Sequence, residues 1–343
     1  MSATPSVSRI MSDAEWLAHR YDPGHDAFHF RRVSRDRRAA VPFLTDLHLG
    51  EENAPAILRR SDCRAAASDA RAPLHFLFHS AYCASTMLAQ LLDQPGVATS
   101  LSEPVLLNDM VGWRRRGAAL GDHARAMDDA LALLGRSFAP AEAVVIKPSN
   151  VFNPLARGAM TLRPDSRAIL LYAPLRTFLL SVARKGLWCR LWCRELLEGY
   201  LADGFVQLGF EPRDYFRQSD LQVAAIGWLA QQQAFAALLA WAPDRIATID
   251  SETLTRDLVA VAAAAMEHLR LTADPKKLAA HPAIGRNSKS GSDFAPGERQ
   301  RDMAAAEASY GEEIEQVVGW AEVVGEQAGI PLTLSQPLLP PKR

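Results

Sequence analysis

Residues 75–92 read His75-Phe76-Leu77-Phe78-His79-Ser80-Ala81-Tyr82-Cys83-Ala84-Ser85-Thr86-Met87-Leu88-Ala89-Gln90-Leu91-Leu92. The apolar run at 74–78 lacks polar alternation and suits a strand buried on both faces. A turn of small and hydroxylated residues follows. Ala81, Cys83, Ala84 and Ser85 are small enough to let a ligand approach the backbone. Met87, Leu88, Leu91 and Leu92 then supply the apolar face of a helix. A strand–turn–helix of this kind aims free backbone N–H groups and the positive end of a helix dipole at one point, which makes an anion site. Ser85 and Thr86 add hydroxyl donors. The plainer reading is a Ser/Thr-capped helix after a strand, with no ligand at all.

The turn is not a Walker A loop, because no Gly and no Lys precede Ser85-Thr86. Its layout resembles the first motif of the sulfotransferase family: a strand, a turn of the type P-[RK]-S-G-T-T, and a helix. Ser85-Thr86-Met87-Leu88 is similar to the end of that motif. Cys83-Ala84 stands where Ser-Gly is usual, and Tyr82 stands where the basic residue is usual.

The resemblance continues downstream. Asp93-Gln94-Pro95-Gly96-Val97 and Ser102-Glu103-Pro104 resemble the family's second strand and its "S-E-P" end. Pro95-Gly96 is a turn signal. Glu103 then falls at the carboxyl end of a strand, the edge where open α/β sheets hold ligands. The resemblance implies that Glu103 is the base that deprotonates the acceptor; the bland alternative is a carboxylate capping a helix over 105–112. Ala143-Val144-Val145-Ile146-Lys147 resembles the family strand that ends in Lys. It puts Lys147 beside the bridging oxygen, or else on the surface. Arg167–Val182 resembles the element that holds a 3′-phosphate. Ser181 matches its helix Ser, and Tyr172-Ala173-Pro174 stands where R-[DN]-P is usual, so Arg176 and Arg184 are the nearby cations. Arg245–Leu254 resembles the last core strand. The basic loop Gly285-Arg286-Asn287-Ser288-Lys289-Ser290-Gly291-Ser292 resembles one that closes over the nucleotide, with Lys289 as its contact; its plain reading is a flexible surface loop.

Taken together, these segments imply an α/β fold: a P-loop NTPase-like parallel sheet flanked by helices, with a helical insertion at about 175–242. Strands are expected near 74–79, 97–101, 143–147, 167–172 and 245–249, with right-handed crossovers. Residues 1–70 read as an N-terminal accessory segment, 71–330 as the sulfotransferase-like domain, and 331–343 as a flexible tail. Within the first segment a helix is expected near 13–19 and a strand around 27–33. The basic cluster at 31–38 reads as a solvated, salt-bridged edge.

The implied reaction is transfer of a sulfuryl group from 3′-phosphoadenosine 5′-phosphosulfate to a hydroxyl or amine, without a metal. Catalysis would fall to Glu103 and Lys147. Tyr82, Cys83, Ala84, Ser85, Thr86, Arg176, Ser181, Arg184 and Lys289 would bind the nucleotide. Two other readings stay open: a non-catalytic nucleotide-binding homologue, and an atypical P-loop kinase, which needs Mg²⁺ and a loop Lys.

Composition frames these expectations. The chain has 343 residues, 48% of them hydrophobic and 22% charged, with a formal charge of −1. This balance argues against broad nucleic-acid binding. The four cysteines (Cys63, Cys83, Cys189, Cys193) form no C-x-x-C pair and suit a reducing compartment. Cys189 and Cys193 share a helix face but lack a nearby His, so they make no zinc site. The start lacks a signal-peptide pattern. The apolar stretch at 223–242 is interrupted by Gln231, Gln232 and Gln233 and reads as an internal helix. A cytoplasmic enzyme with a small-molecule acceptor, no membrane and no nucleic-acid partner is the resulting expectation. The aromatics of 188–216 read either as helix packing or as the lining of an acceptor pocket.

Overall fold

A computed structural model of the chain describes residues 5–50, 54–67, 72–272, 274–285 and 298–339. At its centre is a five-stranded parallel sheet made of β4 (Leu74–His79), β5 (Ala98–Ser102), β6 (Ala143–Lys147), β7 (Ala168–Tyr172) and β8 (Ile246–Asp250), in the spatial order β5-β6-β4-β7-β8. Beta-branched and leucine-rich runs produce these strands, and every residue of β4, β6 and β7 is buried. Burial on both faces is what a parallel sheet covered by helices requires. The chain leaves β4 to build β5 and β6 on one side, then returns to build β7 and β8 on the other. The switch point therefore lies at β4, and the crevice that such a switch opens faces the carboxyl ends of the strands. The expected strands all appear, with ends within one residue.

Helices connect and cover the sheet. Along the chain, α5 (Ser85–Leu92), α6 (Val105–Arg115), α7 (Leu120–Leu134) and α8 (Ala156–Leu162) lie between β4 and β7; α13 (Ser251–Arg256), α14 (Leu258–His268) and α15 (Pro275–Ala279) follow β8. α5 packs on β4, β5 and β6 with α14 against it. The insertion between β7 and β8 consists of α9 (Leu175–Arg184), α10 (Leu187–Ala202), α11 (Pro212–Tyr215) and α12 (Asp220–Trp241), and α16 (Glu298–Gln327) packs against α9 and α12. α12 starts at a capping box of Ser219 and Gln222. Among the described residues it is the one helix long and apolar enough to cross a membrane by length and composition. Here it is largely buried in protein, and Trp228 Nε1 donates 2.8 Å to the Ala173 carbonyl. That bond fixes the chain where β7 turns into α9.

The N-terminal segment differs from the sequence expectation. Residues 13–19 do not form a helix: α1 (Val7–Ser12) ends before them, and β1 (Trp16–Asp22) pairs antiparallel with β2 (Ala27–Arg32), which pairs with β3 (Ala56–Arg59). The Asp22-Pro23-Gly24 turn folds β1 back on β2, and Tyr21 packs on Phe28 with ring centroids 4.9 Å apart. Pairing with the next strand overrides a weak local helix preference. Short helices α2 (Arg35–Ala40), α3 (Asp46–Leu49) and α4 (Arg60–Ala65) complete the segment.

The basic cluster is a solvated, salt-bridged edge only in part: Arg32 and Arg37 are exposed, and Arg32 pairs with Glu15. Arg31 and Arg38 are buried and donate to the carbonyls of Gly50 and of Val33 and Ala14. Arg35 joins Glu142 at 2.6 Å, Asp93 at 3.2 Å and the Ala98 carbonyl at 2.9 Å. Buried loop carbonyls and carboxylates need donors, and these arginines supply them. The end of the chain is docked rather than loose up to residue 339. Thr248 of β8 donates its N–H to Gln336 O and accepts from Leu338 N–H, at 2.9 and 2.8 Å. Leu334 N–H donates to the Tyr172 hydroxyl.

Candidate functional site

β4 ends at His79, and the turn that follows takes a demanding backbone path. Ala81, Tyr82 and Ala84 have φ of 69°, 51° and 62°. None is a glycine, and each pays the left-handed penalty of about 1–2 kcal/mol that a Cβ imposes. The path is held from the inside. His79 Nδ1 accepts from Ala81 N–H at 3.1 Å, and Ser80 Oγ accepts from Ala173 N–H at 3.2 Å. Asn153 Nδ2 donates to the His79 carbonyl at 3.0 Å and to Gln231 Oε1 at 3.0 Å. The Nδ1 acceptor role places the His79 proton on Nε2, 3.7 Å from Glu103 Oε1.

α5 begins at the end of this turn. Its N-cap, Ala84, has no side chain to satisfy the first N–H groups. Ser85 and Thr86 are buried at the helix start. The Cys83 side chain is turned inward: burial pushes its thiol pKa up, while the Ser85 hydroxyl and the Lys147 charge pull the other way.

Lys147 and Glu103 come together as neighbouring strand ends. Glu103 follows β5 with φ of 48°, and its N–H donates 2.7 Å to the Lys147 carbonyl at the end of β6. The Lys147 ammonium, 0% exposed, donates to the Glu103 carboxylate and lies 3.5 Å from Ser102 Oγ. It also sits 5.0 Å from the centroid of the Phe43 ring. The alternative in which Glu103 caps a helix does not apply: α6 has Pro104 at its N-cap and no side-chain cap. The segment carrying Phe43 is laid along the sheet edge, with Leu44 N–H donating to Ser102 O at 2.8 Å.

The residues expected to grip a 3′-phosphate sit on α9 with other partners. Arg176 pairs with Glu307 and Glu315, and Arg184 with Asp302, all on α16. Ser181 Oγ donates 2.9 Å to the Thr177 carbonyl one turn earlier. Lys289 lies outside the described residues.

On the outer side of the turn, the Tyr82 hydroxyl bonds Cys189 Sγ at 2.9 Å, and its ring lies 5.8 Å from Trp192 and 6.1 Å from Phe178. Burial raises the Tyr82 phenol pKa well above the usual range. Lys185 Nζ lies 5.4 Å from the Tyr82 ring centroid and 5.9 Å from that of Trp188.

The sequence reading named Glu103 from its S-E-P resemblance at a strand end and Lys147 from the charge that ends an apolar run, and the structure brings the two side chains together. That reading missed Phe43, His79 and Lys185. A polar residue closing the apolar run at the carboxyl edge was a visible signal for His79. Phe43 and Lys185 act only through tertiary contacts. Among the described residues, no group of three or more His, Cys, Asp or Glu could hold a metal ion.

No family model and no curated protein matches the chain. Among solved structures, it is similar to a sulfotransferase domain from the curacin biosynthetic pathway at 15% identity, over 77% of this chain and 100% of that one, with a TM-score of 0.46.

Proposed function

We propose that this protein transfers a sulfuryl group from 3′-phosphoadenosine 5′-phosphosulfate to a hydroxyl or amine acceptor. The observation that carries this reading is the convergence, at the carboxyl edge of the sheet, of the left-handed turn opening α5 with the Glu103–Lys147 pair. The donor's 5′ end would lie against the start of α5, with Ser85 and Thr86 as hydroxyl donors. As the acceptor oxygen or nitrogen bonds to sulfur, the bond from sulfur to the bridging oxygen breaks. The acceptor's proton passes to Glu103, and the nucleotide bisphosphate departs with the charge. Lys147 opposes that charge, so the pair must open as substrates enter.

A non-catalytic nucleotide-binding role is the second reading. It is favoured by Tyr82 standing in the turn where a basic residue is usual. A kinase-like role lacks a Lys in the turn.

Calorimetry with adenosine 3′,5′-bisphosphate and with ATP, each with and without Mg²⁺, separates nucleotide classes. Preference for the bisphosphate without Mg²⁺ is expected. Mg²⁺-dependent preference for ATP, or no binding of either, overturns the proposal. Transfer of labelled sulfuryl to a broad acceptor set then separates enzyme from binding protein, and bisphosphate binding without any transfer selects the second reading.

A further inference from the structure

The ladder between β4 and β6 stops short of the site. Its register ends at Phe76 opposite Ile146, and Pro148, next after Lys147, has no N–H to offer a strand. The last carbonyl of β4, on His79, is met by a side chain: Asn153 Nδ2 donates to it at 3.0 Å. Asn153 belongs to the 3-10 helix Asn150–Leu155, which starts three residues after Lys147. Its other amide hydrogen goes to Gln231 Oε1 on α12, also at 3.0 Å, and Gln231 Nε2 donates 3.0 Å to the Gly227 carbonyl one turn earlier. Three residues before Gln231, on the same face of α12, Trp228 donates to the Ala173 carbonyl, and Ala173 N–H donates to Ser80 Oγ. That face thus reaches the start of the turn twice, at His79 through Asn153 and at Ser80 through Ala173. Asn153, Gln231 and Trp228 are all buried. Asn153 Oδ1 has no hydrogen-bond partner among the described residues. A buried acceptor left unpaired is unfavourable, and a leucine would fill the space without it. What the asparagine adds is two N–H donors aimed in fixed directions. Departures of this kind from local economy concentrate where function needs them.

We propose that Asn153, anchored on Gln231 of α12, is a positioning residue for the candidate site: it fixes the His79 carbonyl against the segment that follows Lys147, and so sets the 80–84 turn relative to the Glu103–Lys147 pair. Its effect on nucleotide binding rests on the sulfuryl-transfer reading; its effect on the turn does not. N–H groups held in one direction before a ligand arrives lower the ordering cost of binding it. The helical insertion then does more than cover the sheet, because α12 supplies the anchor.

The test uses the full chain and reads the turn in two ways. Amide hydrogen exchange over residues 79–86, relative to that of β7, reports how firmly the turn is held. Affinities for adenosine 3′,5′-bisphosphate and adenosine 3′-phosphate, which differ only in the 5′ group, report what that order does for binding. Asn153→Leu is expected to speed exchange across the turn and to weaken the bisphosphate about 3–10-fold, the worth of one hydrogen bond, with adenosine 3′-phosphate unchanged. Gln231→Leu, which removes the anchor and keeps Asn153, is expected to act in the same direction, and it stands in if Asn153→Leu does not fold. Leu229→Ala controls for lost stability: Leu229 is fully buried on α12 but packs toward Gly325 of α16, so this variant should leave the turn's relative exchange and the ratio of the two affinities as they are. Unchanged exchange over 79–86 in Asn153→Leu, equal weakening of both probes, or the same effects from Leu229→Ala overturns the assignment while the wider reading stands. If the wild-type protein binds neither probe, the sulfuryl-transfer reading falls, and the exchange measurement alone decides whether Asn153 positions the turn.

Discussion

Glu103→Gln should destabilise the protein more than Lys147→Met, although the same ion pair is broken in both. The pair is asymmetric: Lys147 is fully buried, while the Glu103 side chain is 19% exposed. At hydrogen-bond separation and an effective dielectric near 20, the gross attraction is about 5 kcal/mol. Removing one member of a buried pair typically costs about 3–5 kcal/mol, because the other is left as an uncompensated charge. In Glu103→Gln the group that loses its carboxylate is the buried ammonium, which keeps Ser102 Oγ at 3.5 Å and the Phe43 ring at 5.0 Å. The Gln carbonyl still accepts one hydrogen bond, so the lower end, about 3 kcal/mol, is expected. In Lys147→Met the stranded carboxylate reaches water and has His79 Nε2 at 3.7 Å, so about 2 kcal/mol is expected. The double variant carries no unpaired charge and should lose at least about 2 kcal/mol less than the sum of the single losses. Urea unfolding of the four proteins completes the cycle. Additive losses, or a neutral Glu103→Gln, would show that the two strand ends are not coupled as described.

Three further outcomes follow from other parts of the molecule. Arg35→Ala leaves the carboxylates of Glu142 and Asp93 without their guanidinium and should cost about 3–5 kcal/mol by denaturant unfolding; a loss under about 1 kcal/mol would mean water replaces it. Burial and the nearby Arg167 charge push the His75 pKa down to about 4, and Arg167 N–H donates to its Nδ1, so the folded protein holds it neutral. Between pH 6.5 and 4 the unfolded chain binds a proton that the folded chain refuses, so stability is present above pH 6.5 and falls as the medium is acidified, by up to about 3 kcal/mol. His75→Asn should flatten that slope in stability measured across pH, and an unchanged slope would assign it to other groups. Ala84→Gly relieves the left-handed penalty at the turn and should raise stability by up to about 1 kcal/mol, whereas Ala84→Val should lower it; the reverse order in thermal melts would refute the backbone path described here.

The sheet was legible because parallel strands buried on both faces must be almost wholly apolar, as Leu74–Phe78 (His75 apart), Val144–Ile146 and Ile169–Leu171 are. Three readings went astray for one reason. The strand Trp16–Asp22, the buried arginines at 31 and 38, and the docked residues 334–338 all take their state from the partners they pair with rather than from their own local composition. Charge alone reads Arg38 as solvated, and only the carbonyls of Val33 and Ala14 show why it is not. At the site, strand-end charges announced themselves. The cation beside Tyr82 did not, because Lys185 is about a hundred residues away in sequence and reads locally as an ordinary helix end.

The turn itself shows how the site residues depend on the rest of the fold. Three left-handed non-glycine residues in four positions, with Glu103 as a fourth just after β5, amount to about 4–8 kcal/mol of local backbone cost. That is comparable to the whole net stability of a domain. A path so costly persists only where the surroundings over-determine it. Here they do: Ala81 is held by His79, Tyr82 by Cys189 and the aromatic rings, Glu103 by two bonds to Lys147, and the facing segment at Ala173 by Ser80 and Trp228. A glycine at any of these positions would give the same path at lower cost, yet Cβ atoms are present at all of them. A simple loop between a strand and a helix needs none of this bracing. Backbone N–H groups fixed in one direction before any ligand arrives are what an anion site needs, because the ordering cost is then met in folding and not in binding.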